Sequence, residues 1–281
     1  VAGNPTRERT NEKRSLPIFW HLLSLDAPAV ATLWTWFIAR TNHVPLRISS
    51  LIAMAAAVWT LYAADRLLDA QSPGNDALEA RHYFHLKHRT AFMAGIGAAS
   101  ILLAVLLPRI PEAAIRLYLI LGGLVFGYFV IIHATRSAHR LPKEIAVGVC
   151  FAAATFIPTV AREPGLRVPL LAPALLLAAV CSLNCLFIYA WEHLLPSGQT
   201  PHPVTAVALR HLTALTLGVA VAAAILALLD RHAPWPLYAA VTLSSLALLL
   251  LHLRRPRLAA LELRAAADLA LLTPLLLVPF L

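Results

Sequence analysis

Nine blocks of continuous apolar sequence constrain this chain more than any other feature. They run approximately over residues 17–39, 48–68, 91–107, 113–134, 145–160, 169–190, 204–229, 235–253 and 258–281, and most are near the roughly 20 residues that a helix needs to cross a bilayer. None alternates with period two, which argues against the strands of a membrane β-barrel. Composition agrees: 59% of residues are hydrophobic and 13% charged, far from the balance of a water-soluble domain. The pattern predicts an all-α integral membrane protein of nine transmembrane helices. Residues 1–16 form a polar N-terminal arm, and 17–281 form one polytopic domain with a cap over about 70–90. The fifth block is short, at about 16 residues, and is expected to lie obliquely or to extend into its flanks.

The basic residues set an orientation. With the N-terminus in the cytoplasm, about 16 of the 23 Lys and Arg residues fall on inner connections, as the positive-inside rule requires. The formal charge of +9 is scattered between apolar blocks, and no basic face or motif points to nucleic acid. The arm lacks the apolar core of a secretory signal. Cys150, Cys181 and Cys185 all lie in apolar blocks and read as small hydrophobes rather than a disulfide framework.

Chemistry is expected on the inner side, at the end of the second block. There the sequence reads Thr60-Leu-Tyr-Ala-Ala-Asp65-Arg-Leu-Leu-Asp69. On a continued helix Asp65 and Asp69 share a face about 6 Å apart, with Tyr62 one turn earlier. Two carboxylates at a helix C-terminus oppose the helix dipole unless a partner neutralises them. Mg2+ shared with a substrate phosphate would do so; plain solvation where a span meets water would also suffice, with Arg66 offsetting part of the charge. The segment Arg81-His-Tyr-Phe-His-Leu-Lys-His-Arg89 that follows is suited to hold phosphate beside such a metal. His82, His85 and His88 spread over about 120° of a helix, and a zinc site would need a fourth ligand and a fixed geometry that this pattern does not supply.

The sixth block ends as Cys181-Ser-Leu-Asn184-Cys-Leu-Phe-Ile-Tyr-Ala-Trp-Glu192, with Asn184 and Glu192 close to one helical face. Like the second block it runs outside to inside, so two related halves are expected to meet at one cavity. In this layout the chain resembles the UbiA superfamily of intramembrane prenyltransferases. Family members carry Asn-Asp-x-x-Asp-x-x-x-Asp on the second span. Here Asp65-x-x-x-Asp69 matches its end, while Leu61 and Tyr62 stand in place of the leading Asn-Asp. A stretch from Tyr128 through Arg136 to Lys143-Glu-Ile-Ala-Val-Gly148 resembles a further family pattern. On the sixth span the usual Asp-x-x-x-Asp is replaced by Asn184, Ile188 and Glu192. Ile188 cannot ligate a metal and Asn184 offers only a neutral oxygen.

The resemblance implies a nine-helix bundle with a central cavity open to the cytoplasmic side, and Mg2+-dependent ionisation of an isoprenyl diphosphate. Asp65, Asp69 and Glu192 would hold one Mg2+, with Asn184 beside them. Arg66, Arg89, Arg136 and Lys143 would bind phosphate oxygens. Tyr62, Tyr128 and Tyr189 would line the cavity and stabilise an allylic cation, which a hydrophobic acceptor, aromatic or lipid, would capture. A terpene cyclase on the same scaffold and a non-catalytic isoprenoid- or lipid-binding or transport protein are the alternatives.

Two further ionisable groups lie within spans, where they are costly and mark function or pairing. Asp26 is in the first block, and either a functional role or a partner Arg or His on a neighbouring helix would explain it. Asp268 is in the ninth, where Arg264 four residues earlier offers a structural partner. Pro28, Pro158, Pro173 and Pro274 are expected to kink their spans.

Overall fold

The computed structural model describes residues 16–69, 80–134, 142–192, 202–258 and 260–281. Among them every regular element is helical. Seven helices are long and apolar enough to cross a membrane, so the chain is a multi-pass membrane protein. Large apolar side chains such as Leu119, Leu124 and Phe126 face outward on one helix, a surface that water would not tolerate.

Each of the nine apolar blocks becomes a helix or a broken helix. The second, third, fourth and sixth become α3 (Ile48–Asp69), α5 (Arg89–Leu106), α6 (Glu112–Ala134) and α8 (Leu171–Glu192), with the short α4 (Ala80–Lys87) between α3 and α5. The fifth extends into its flanks as α7 (Lys143–Arg162), so its apolar length understates its helical length. The seventh divides at His211 into α9 (Pro203–Arg210) and α10 (Leu212–Leu229), and the eighth is α11 (Trp235–Arg254).

The first and ninth blocks are broken, and their breaks shape the interior. Block one divides into α1 (Leu16–Leu22) and α2 (Asp26–Thr41). Ser24 has φ 58°, and the N–H groups of Ser24 and Leu25 bond back to the carbonyls of His21 and Trp20. This is a helix stop of the kind that usually ends on glycine. Pro28, lacking an N–H, sits in the first turn of α2, where that lack costs nothing. Block nine divides into α12 (Ala260–Leu269) and α13 (Pro274–Leu277). Around Pro274 the turn tightens, with Leu275 N–H bonding the Leu272 carbonyl. The Leu271 carbonyl is thereby freed, and it accepts from Trp34 Nε1 at 2.9 Å.

The main core is built around α8, where Phe187, Leu177 and Val180 meet Trp34, Phe37 and Ile38 of α2 and Leu237 and Leu248 of α11. The α7–α8 crossing is close: a Cβ on Gly148 would fall 2.3 Å from the Ser182 amide nitrogen. Small residues permit such approach between membrane helices. In the connection after α10, Asp230 accepts from the Tyr238 hydroxyl and from His232 N–H. Those bonds, the tyrosine's first, hold its carboxyl below the usual carboxylate range.

Candidate functional site

The Ser24 break and the end of α3 together bury a group of charges. Arg66, on the last turn of α3, points inward. Its Nη1 donates to the His21 carbonyl at 2.6 Å and to Ser24 Oγ at 3.1 Å, and its Nη2 lies 3.6 Å from Asp26. Trp59, two turns earlier, donates to the Leu23 carbonyl, so α3 satisfies two carbonyls and a hydroxyl near the break. His21 Nδ1 is bonded to Asp26 and lies 3.7 Å from Asp268 Oδ2. Asp26 Oδ1 accepts from Ala27 N–H. From α4, His85 Nε2 meets Ser24 Oγ at 3.1 Å while its ring stacks on Phe92. Ser24 therefore holds a left-handed conformation that would suit glycine, at a cost of about 1–3 kcal/mol, and its hydroxyl joins two basic side chains.

On one flank of this cluster lies a narrow cleft walled by Tyr62 of α3, Gly148 and Phe151 of α7, Asn184 and Cys185 of α8, and Asp268 of α12. Its free volume is about 30 Å3, enough for a water or two. Asn184 Nδ2 donates to Asp268 Oδ1 at 3.2 Å. Asn184 Oδ1 and His21 Nε2 are buried without a hydrogen-bond partner among the described residues. An orphaned buried acceptor costs about 1–3 kcal/mol, so a donor or a cation at Asn184 Oδ1 would relieve it.

His21, Asp26 and Asp268 each bring one ligand-type atom within 4.8 Å of the others. Asp26 answers His21, Arg66 and Ala27 N–H, and Asp268 answers Asn184 and Asp26 and lies near His21. The cleft oxygen without a hydrogen-bond partner among the described residues is Asn184 Oδ1. A carboxylate oxygen of Asp268 beside it, completed by water and phosphate, would be a donor set that suits one Mg2+.

The residues singled out in the sequence separate into three groups. Tyr62 of α3 and Asn184 of α8 wall the same cleft, and Arg66 joins the cluster beside it with donors already engaged by His21 and Ser24. Asp65, Arg89 and Lys143 are exposed, and Tyr128 and Tyr189 are half-buried; none of these five is among the residues walling the described cleft. Arg136 and the side chains of Asp69 and Glu192 lie outside the described residues. Asp26 and Asp268, met in the sequence as ionisable groups inside spans, prove to be neighbours. Asp26 has the Arg and His partners that a pairing role demands, and Asp268 takes Asn184 as a partner. His21, Ser24 and His85 share no sequence signal, because only the break at Ser24 brings them together.

Comparison with family models, curated proteins and solved structures finds no match.

Proposed function

We propose that this chain is a UbiA-like intramembrane prenyltransferase, with nine crossings and an inner-side site, that transfers an isoprenyl group from its diphosphate to a hydrophobic acceptor. The observation that carries the reading is the shared cleft: Tyr62 of α3 and Asn184 of α8 wall it together with Asp268. Tyr62 lies seven residues before the end of α3 and Asn184 eight before the end of α8, and the positive-inside rule would put those helix ends toward the cytoplasm.

Bound Mg2+ would neutralise charge on the leaving diphosphate. Asp268 and Asn184 would hold it in the cleft, and Asp65, Asp69 and Glu192 are the further carboxylates proposed as its ligands. Arg66 fixes Asp26 and His21 and so keeps the cluster in place while phosphate binds outside it. Arg89, Arg136 and Lys143 offer donors to phosphate oxygens. Tyr62 and Phe151 present aromatic rings to an allylic cation and keep water from it. The free volume holds a water or two and no diphosphate, so the cleft would have to widen to take the head of the substrate, and the isoprenoid tail would lie along apolar helix faces.

The test is release of diphosphate from geranyl, farnesyl and geranylgeranyl diphosphates by the purified protein, with and without Mg2+. Release that depends on Mg2+ and falls about a hundredfold or more in the Asp65→Asn/Asp69→Asn variant is expected. Release undiminished in that variant would remove the motif from the mechanism. A cyclic hydrocarbon formed without acceptor would assign a cyclase, and a copurified isoprenoid with no turnover would assign the binding role.

A further inference from the structure

At the opposite end of the bundle a second cavity separates two helix pairs. α5 packs on α3, and α6 packs on α7; between the pairs lies a space of about 240 Å3 walled by Met54, Leu103, Ile110, Ala114 and Pro158 among others. The ionic cluster has no part in it. Pro158, inside α7, cannot donate to the Ala154 carbonyl, and Tyr118 supplies the missing donor at 3.3 Å. That wall is therefore satisfied and preformed.

Arg162 is the exception. It ends α7 and lines the cavity, and its Nε is buried without a hydrogen-bond partner among the described residues. A cation at a helix C-terminus complements the dipole, which accounts for the charge but not for the orphaned N–H. The mouth adds more positive charge. Arg47 and Arg109 are exposed beside the lining residues Ser50 and Ile110. Glu112 is engaged by Arg116, and the exposed Glu163 is the remaining acid there among the described residues.

We propose that this cavity binds one acyl chain of an anionic phospholipid, with the headgroup phosphate on Arg162. Apolar walls with Arg162 as the one charged lining residue match an amphiphile with one anionic end. A bilayer phospholipid is the source, because α3, α5 and α7 are membrane-crossing helices and the lipid is present at their depth. The volume is that of about eight waters in the liquid, which suits the first part of one chain; the rest of the lipid stays in the bilayer. This site is independent of the prenyltransferase reading and would stand if that reading failed.

Native mass spectrometry of the purified full chain, offered equal amounts of dioleoyl phosphatidylglycerol and dioleoyl phosphatidylcholine, tests it. Retention of the anionic lipid is expected to exceed that of the neutral one by at least about fivefold, the scale of one basic residue acting on an anionic headgroup. Arg162→Gln is expected to abolish that preference, Arg162→Lys to keep part of it, and Ala57→Phe, which fills the cavity, to remove retention of both lipids. Excess inorganic phosphate is expected to leave the lipid bound. Equal retention of both lipids by the native chain, or an unchanged preference in Arg162→Gln, would overturn the proposal. Complete displacement by inorganic phosphate would reduce the site to a simple anion site and overturn it too. Should Ala57→Phe fail to give a monodisperse protein, the Gln and Lys pair at position 162 decides alone.

Discussion

The two ends of the bundle treat a buried arginine in opposite ways. Arg66 sits among acceptors from α1, the Ser24 break and α2: the His21 carbonyl, the Ser24 hydroxyl and the Asp26 carboxylate. Arg162 reaches the rim of an apolar cavity with its Nε unanswered among the described residues. A buried charge lowers the energy of a fold only when partners replace its water. The first arginine is therefore part of the protein's own framework, and the second offers a donor that the described residues do not engage. Packing follows the same division: Gly148 lets α7 touch α8 beside the ionic cleft, whereas the α3–α5 and α6–α7 pairs leave a void.

The largest effect is expected at Arg66. Arg66→Met leaves Asp26 buried with its guanidinium partner gone and should cost about 3–5 kcal/mol, read as a large drop in thermal stability in detergent; a small drop would mean that His21 alone compensates. Gly148→Ala should follow, at about 1–3 kcal/mol, because the new methyl meets Ser182 backbone that cannot yield cheaply. At Ser24 the comparison between two variants is the informative one. Both lose the bonds to Arg66 and His85, but glycine tolerates φ 58° and alanine does not, so Ser24→Gly should exceed Ser24→Ala in stability by about 1 kcal/mol. Arg162→Gln should change stability by no more than about 0.5 kcal/mol while altering lipid retention, the reverse of the Arg66 pattern.

The smallest effect concerns pH. Asp230 has a lowered folded-state pKa, chiefly through the Tyr238 hydroxyl. Its contribution is thus complete above the unfolded value of about 3.9 and fades as pH falls through the lower folded value. Melting curves on acidification from pH 7 should show the native chain losing slightly more stability than Tyr238→Phe; parallel curves would mean that the bond does not matter in solution.

Much of the helical layout was legible in the apolar blocks, since length and hydropathy are local properties. The breaks were less so. Nothing near Ser24 resembles the usual glycine stop, and the sequence Leu23-Ser24-Leu25 continues an apolar run. The break persists because Arg66, His85 and Trp59, from distant parts of the chain, bond to it. The site divides in the same way. Tyr62 and Asn184 follow from helical spacing within single spans, and they meet at the cleft. The pairing of Asp26 with Arg66, and the approach of His21 to Asp268, join residues too far apart in sequence for any local rule. The rule that an ionisable group inside a span has a reason to be there identified both aspartates but could not name their partners.

The most direct test of the central claim compares two carboxylates in one assay. Mg2+-dependent release of diphosphate from geranylgeranyl diphosphate should be measured for the native chain, Asp268→Asn and Asp65→Asn under the same conditions. If the cleft is the reaction site, Asp268→Asn lowers release about a hundredfold or more, and at least as far as Asp65→Asn does. Full release in Asp268→Asn, in a protein that remains folded, would contradict the account.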